Sequence, residues 1–378
     1  MEHTMAPGVS PAIPAAEEDR IYRKVGWRLV PLLVVCYVVA YLDRVNVGFA
    51  KLQMLQELQF SETVYGLGAG IFFIGYFLFE IPSNIILHKV GARVWIARIM
   101  ITWGIISACM MFVTSVHMFY FLRFLLGAAE AGFFPGIILY LTYWYPAARR
   151  GRITTFFMTA VPMSGLIGGP ISGWIMSTFH GDHGLSGWQW LFLLEGIPSV
   201  IIGVLVLIYL DDRINKAKWL TANEKAVLIR NIAAEEQNKE DPPIRAALTR
   251  PRVWAMALIY FSFVMGLYGV GFWMPTLIKS TGVQSTLAIG LLTAVPNLFA
   301  VIGMILIARN SDRNRERRWH VAIPALFGAL GLLFSAIWSG NTVLAILALT
   351  VANIGICTVL PLFWSLPTAL LGGTAAAA

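Results

Sequence analysis

Apolar stretches about 20 residues long alternate with polar connections along nearly the whole of this 378-residue chain. As a helix, each is long enough to cross a hydrocarbon core roughly 30 Å thick. Ten such windows can be placed: Leu29–Ala50, Val64–Leu87, Ile96–Phe112, Phe119–Tyr143, Thr154–Phe179, Trp188–Leu210, Val253–Ile278, Thr286–Ala308, Val321–Ser339 and Thr342–Leu362. The pattern predicts an all-α polytopic membrane protein. Composition agrees: 58% of residues are hydrophobic and 13% charged, against about 25% charged in a soluble domain.

The formal net charge of +8 adds information only through its placement. Of 28 Lys and Arg residues, 24 lie in alternate connections, at 20–28, 89–98, 149–152, 213–252 and 309–318. The intervening connections hold only Lys51 and Lys279, while Arg44 and Arg123 fall inside windows. By the positive-inside rule the basic connections, and with them the N-terminus, are expected in the cytoplasm, which places the protein in a cell inner (plasma) membrane. The charge therefore reports topology, and no basic, aromatic-interleaved soluble face is present to bind nucleic acid. Residues 1–28 form a polar cytoplasmic tail without a cleavage site, so the first window is expected to stay as a span. Cys36, Cys109 and Cys357 lie in apolar windows, where thiols behave as small hydrophobes. The scattered histidines close no metal site, and no Gly-rich loop with Lys cradles a phosphate. No cofactor, metal, enzymatic activity or ATP-driven pump is expected.

One long charged connection divides the chain into an N-terminal six-helix half (29–210), a cytoplasmic central linker (211–252) and a second half (253–378). In the linker Thr221, followed three residues later by Glu224, marks the start of a short amphipathic helix. The halves echo each other. "HKVGAR" from His88 returns as "DRNRERR" from Asp312, and windows one and seven begin at Leu29 and Val253, both at an offset of 224. Duplicated spans of this kind build many transporters. On that symmetry the second half should extend about 56 residues further, so it is expected to be truncated after the tenth helix.

Charges inside the windows carry the candidate chemistry. In "YLDRVNVGFA" only fourteen apolar residues, Leu29 to Leu42, precede Asp43 in this window, a rise of roughly 21 Å, so Asp43 and Arg44 must sit at membrane depth. Such residues almost always face a bundle interior or a water-filled cavity. Tyr37, Tyr41, Arg44 and Gly48 share one stripe of this helix, and Arg123, Gly127, Glu130 and Phe134 share another in "RFLLGAAEAGFFPG". Seven residues separate Arg123 from Glu130, about 10 Å along the axis, so each needs a partner elsewhere. A guanidinium can replace the hydration of a carboxylate substrate by a two-pronged charged hydrogen bond. Protonating Asp43 or Glu130 would release an arginine partner to take that anion, coupling two cargoes. The plainer alternatives are that Arg44 snorkels to the outer interface and that Arg123 and Glu130 form structural ion pairs. Glu80 reads as a brace beside the basic loop and Glu195 as ambiguous beside a helix kink, and both stay outside the core site.

The loop repeats, the linker and six ordered motifs ("YLDRVNVGFA", "EIPSNIILHKVGARVWIARIMITWG", "RFLLGAAEAGFFPGIILYLTYWYP", "GLIGGPISGW", "WQWLFLLEGIP" and "NSDRNRERRWH") resemble the anion:cation symporter family of the major facilitator superfamily. His88 departs from the superfamily pattern, which usually has Asp there, while Asp312 keeps it. The resemblance implies a major facilitator fold of two six-helix halves, the second incomplete with about ten helices present. It implies a central cavity lined by spans one and four, in which Asp43, Arg44, Arg123 and Glu130 balance one another's charge. It matches Asp43 and Glu130 to proton-coupling acids and Tyr41, Arg44, Tyr76 and Arg123 to substrate-cavity positions. It also implies gating or structural roles for Lys89, Gly91, Arg93, Asp312 and Arg313 in the basic loops, with inner-gate salt bridges, and a close, bent helix contact at Gly169 and Pro170. In the second half Trp364 and Ser365, in "LFWSLPT", are the best neutral ligand candidates. The expected function is proton-coupled uptake, by alternating access, of a small organic acid anion such as a tartrate-like hydroxy-dicarboxylate. The partners are that anion, protons and the lipid bilayer, and a monomer is expected. The alternatives are an exporter or antiporter of organic anions, and a transport-inactive sensor or fragment.

Overall fold

The computed structural model describes residues 14–236, 251–314 and 316–363, and no strand occurs among them. The first span joins α1 (Ala15–Val45) to α2 (Val47–Glu57) across Asn46. Spans two and three are α3 (Glu62–Val90) and α4 (Ala92–Cys109). Span four is broken into α5 (Val116–Glu130) and α6 (Phe133–Thr142). The break falls at Gly132, whose φ of +83° favours glycine. Span five is α7 (Ala147–Met158) followed by α8 (Ala160–Thr178), and span six is α9 (Gly187–Tyr209). After the linker helix α10 (Ala222–Glu236) come α11 (Pro251–Ser280), α12 (Thr286–Asn314), α13 (Arg318–Ile337) and α14 (Thr342–Phe363).

Nine helices among the described residues are long and apolar enough to cross a membrane. The fifth of the ten windows is not one of them. Its α8 carries Gly165, Gly168, Gly169, Pro170 and Gly173, small residues that lower its apolarity and serve close packing instead. The helix in this span is interrupted at Thr159, and α8 runs on through Pro170.

Side-chain caps fix several helix starts. Ser61 accepts from the Val64 amide at 3.2 Å, Ser115 accepts from Met118 at 3.3 Å, and Ser186 with Gln189 closes a capping box on α9. The box read at Thr221 is formed. The Thr221 amide donates to Glu224 at 2.8 Å, and the Glu224 amide donates to the Thr221 hydroxyl at 3.3 Å. Glu224 also pairs with Lys24 at 2.8 Å, tying α10 to the first helix, which begins at Ala15 and so includes part of the expected tail. Burial opposes ionisation of Glu224, but the hydrogen bonds from Lys24 and Thr221 outweigh it and hold the carboxyl below the usual carboxylate range.

The two halves meet mainly near the face opposite the basic connections. There α8 and α12 cross in antiparallel register. A Cβ on Gly169 would lie 2.8 Å from the Gly290 carbonyl oxygen, and one on Gly173 2.8 Å from that of Thr286. Beside them Tyr65 donates to the Phe272 carbonyl at 3.0 Å and Lys279 to that of Leu52 at 3.2 Å.

Within the first half, α3 and α5 touch backbone to backbone. A Cβ on Gly127 would stand 1.9 Å from the Phe72 carbonyl oxygen. Replacing Gly127 by Ala should therefore destabilise the protein by about 1–3 kcal/mol through overpacking. Gly70→Ala, where nothing lies within 4 Å, should stay within about 0.5 kcal/mol of the parent. Thermal unfolding of the purified variants in detergent checks this, and equal melting temperatures would refute the close crossing.

Candidate functional site

Adjacent helical residues point about 100° apart, and this separates Asp43 from Arg44. Arg44 turns toward α5 and α11. It donates to a carboxylate oxygen of Glu130, forming a buried ion pair, and to the hydroxyl of Tyr268. Around its guanidinium stand the rings of Tyr41 (5.2 Å), Phe72 (5.5 Å), Tyr76 (5.5 Å) and Tyr268 (5.7 Å). Cation–π attraction of this kind strengthens as water is excluded. The Tyr41 hydroxyl is buried without a hydrogen-bond partner among the described residues.

Asp43 turns toward α4 and α9. It accepts from the Trp103 indole at 2.7 Å, from Ser107 at 3.0 Å and from the Ser199 hydroxyl. Among the described residues it forms no ion pair. Of the two acids expected to hold an arginine, only Glu130 therefore does so among the described residues. Asp43 is held by three neutral donors, because its side chain leaves the helix on the side away from both arginines.

Arg123, in α5, is 1% exposed. Its Nε donates to the Gly68 carbonyl at 3.2 Å, its Nη2 has no hydrogen-bond partner, and no carboxylate pairs with it among the described residues. Phe72 lies 4.9 Å and Phe272 5.9 Å from the guanidinium. Phe72 is thus shared by both arginines. The four charges are not a closed quartet: Arg44 and Glu130 pair, Asp43 is capped by neutral groups, and Arg123 is left with one carbonyl and two rings.

Next to this cluster a cavity opens between the halves, lined by Tyr41, Asn46, Ser172, Asn297, Asn353 and Cys357 among others. On its second-half wall the Asn353 amide donates to Asn297 at 3.1 Å, and Asn297 donates to the Thr293 carbonyl at 2.9 Å. Trp364 and Ser365 lie outside the described residues.

The basic loops are built locally. Gly91 has φ +103°, and a Cβ there would lie 2.8 Å from Asp212 Oδ1. That same oxygen accepts the Arg93 amide at 2.9 Å, capping α4. Lys89 and Arg313 are exposed. Asp312 pairs with Arg317 in its own loop, so the expected salt bridge across the inner gate is not among the described ion pairs. Gly169 does occupy the close helix contact expected of it.

Tyr268, Trp103, Ser107 and Ser199 complete the site and were not read as site residues from the chain alone. For Tyr268 a signal existed: it lies 224 residues after Arg44, the repeat offset itself.

A family model described as the Major Facilitator Superfamily matches residues 33–378. The "Putative metabolite transport protein NicT" of Pseudomonas putida is 54% identical over 359 residues, which cover 94% of this chain and 82% of the relative. A "Putative tartrate transporter" of Agrobacterium vitis is 53% identical over 363 residues, covering 96% of this chain and 80% of the relative. Among solved structures, the partially occluded inward-open xylose transporter XylE of Escherichia coli superposes with a TM-score of 0.69 at 14% identity. That match covers 93% of this chain and 87% of the other, and it is a likeness of fold.

Glu130→Ala would leave the Arg44 guanidinium buried without its counter-charge, and breaking a buried pair from one side costs about 3–5 kcal/mol. Glu130→Gln keeps a hydrogen-bond acceptor and should cost clearly less. Thermal unfolding of both variants checks the pair, and equal melting temperatures would remove it as a structural element.

Proposed function

This chain belongs to the Major Facilitator Superfamily, and on that premise we propose that it couples inward movement of protons to uptake of a small organic acid anion. The basic connections favour a cytoplasmic N-terminus in a cell inner membrane. Members of this family are membrane transporters and not enzymes, and the name of the Agrobacterium vitis relative makes a tartrate-like hydroxy-dicarboxylate the leading substrate class.

The observation that carries this reading is Arg123. A guanidinium 1% exposed, with a free Nη2 and no carboxylate partner among the described residues, lacks the counter-charge that membrane arginines normally find. A substrate carboxylate is the group that fits it, since two parallel N–H donors match two carboxylate oxygens. Arg44 is the second cation, and it is held in reserve by Glu130. When Glu130 takes a proton, the ion pair loses its charge attraction and Arg44 becomes free to bind the other end of a dicarboxylate. Proton and anion then enter together, and the aromatic walls supplied by Phe72, Tyr76 and Tyr268 keep the charges out of water. Asp43, tied to α4 and α9, senses protonation at the other side of span one and transmits it through helix contacts.

Full-length protein in proteoliposomes should accumulate labelled tartrate when the outside is acidified. No response to an imposed pH gradient across a broad panel of organic acids would sink proton symport. Asp43→Asn and Glu130→Gln should abolish gradient-driven accumulation while leaving exchange of labelled for unlabelled anion at equal pH largely intact. Arg123→Ala should lose both, because removing a charged hydrogen-bond partner weakens binding by about 2 kcal/mol or more. Equal loss of exchange in all three variants would remove the division between coupling acids and anion site.

A further inference from the structure

One buried acid takes no part in the cycle described above. Glu195, in α9, is 3% exposed. Its Oε1 accepts from the Ser172 hydroxyl at 2.6 Å, while Oε2 is buried with no donor in ordinary hydrogen-bond geometry among the described residues. The side chain of Asn46 lies beside it, close enough to act on the carboxyl as a hydrogen-bond donor, and its amide is likewise buried. Among the described residues Glu195 has no basic partner. Ser172 and Asn46 also line the cavity between the halves, so the groups that touch Glu195 reach its wall.

The position of Glu195 along α9 links it to Asp43. Ser199 follows four residues later, on the same helix face, and its hydroxyl donates to Asp43. Because α9 runs from the face opposite the basic connections toward the basic face, Glu195 lies one turn closer to that opposite face. Toward the basic face Ser199 follows Glu195 on α9, and Ser199 is hydrogen-bonded to Asp43. The other groups around Glu195 do not titrate: α4 contributes Trp103 and Ser107 to Asp43, and α8 contributes Ser172. Arg44 and Glu130 lie on the far side of span one and pair with each other.

A structural tie between α8 and α9 would need only an acceptor for Ser172, which Asn, Gln or a backbone carbonyl supplies. An ionisable acid at this depth costs about 2.5–3.5 kcal/mol on insertion scales and marks an ion or proton path by default. Glu195 and Asp43 are close enough for their charges to interact, and two carboxylates in a low dielectric are poorly able to carry charge together.

We propose that Glu195 is a second proton-carrying carboxyl in series with Asp43, loaded from the cavity past Ser172 and Asn46. In the loading step Glu195 Oε2 takes a proton from water on the opposite-face side and becomes a neutral carboxylic acid. In the transfer step that proton passes to Asp43, leaving Glu195 as carboxylate and Asp43 neutral, so the charge of the pair is unchanged. The proposal rests on the reading of Asp43 as a coupling acid.

Glu195→Gln keeps the shape and the acceptor for Ser172 but cannot carry a proton. In proteoliposomes its equal-pH exchange of labelled tartrate should stay near the parent level. Accumulation driven by a pH gradient should fall about a hundredfold, the scale expected when a positioned proton carrier is lost. Unchanged accumulation would overturn the proposal. So would accumulation driven by sodium at equal pH and lost in the variant, which would assign Glu195 to a metal cation. A substrate-free readout keeps this separate from the transport reading. Infrared difference spectra of the parent protein between acid and neutral pH should contain a carboxylic acid band that Glu195→Gln removes, whether or not tartrate is the cargo. If the glutamine protein fails to reach the membrane, Ser172→Ala, which removes the hydroxyl donor to Glu195, must shift that band. A band indifferent to these changes overturns the proposal.

Discussion

A guanidinium or carboxylate placed in a hydrocarbon interior must be met by another group, and the first half of this protein is arranged around how each such charge is met. Arg44 finds Glu130 and a ring of four aromatic side chains. Asp43 finds three neutral donors from two other helices. Arg123 finds one carbonyl and two rings. These unequal solutions give each charge a different readiness to change partner. A pair with matched charges is quiet until a proton neutralises one member, whereas an unmatched guanidinium is ready for an anion. The close approach of α3 and α5 at Gly127 matters because both helices carry walls of this cluster, and looser packing there would admit water and weaken every interaction inside.

The second half answers the charges of the first with neutral groups. Tyr268 is the repeat counterpart of Arg44, and the two meet directly. Phe272 is likewise the counterpart of Gly48, and a Cβ on Gly48 would lie 2.8 Å from the Phe272 carbonyl oxygen. Spans one and seven thus touch through positions that the repeat makes equivalent. The contact is symmetric in position and asymmetric in chemistry, with cation facing phenol and glycine facing a bulky neighbour. Together with the glycine-lined crossing of α8 and α12, it forms the seam along which the halves meet, next to the cavity and the charged cluster.

Most of the fold could be read from the chain, because transmembrane length, charge placement and the repeat are one-dimensional signals. Even the Thr221 and Glu224 cap was legible, being a local motif whose geometry depends on three residues. The fifth span was less plain, since the glycines that let α8 approach α12 dilute the apolarity by which spans are recognised. At the site, membrane depth identified Asp43, Arg44, Arg123 and Glu130, but not who meets whom. Helical spacing fixes which face a residue occupies, while its neighbours depend on how separate helices pack. So the neutral partners of Asp43 went unread, and of the two acids expected to hold an arginine only Glu130 does so among the described residues. Tyr268 was within reach, because the offset of 224 already paired it with Arg44.

The central claim is that Arg123 receives the carboxylate of the transported anion. Solid-state nuclear magnetic resonance can test this on membrane-embedded protein carrying nitrogen-labelled arginine, with tartrate labelled at its carboxyl carbons. Magnetisation transfer from the tartrate carboxylate to guanidinium nitrogens is predicted at acidic pH, and it should disappear in Arg123→Lys while bound tartrate remains detectable. Transfer that persists unchanged without Arg123, or bound tartrate that contacts no arginine, would contradict that claim.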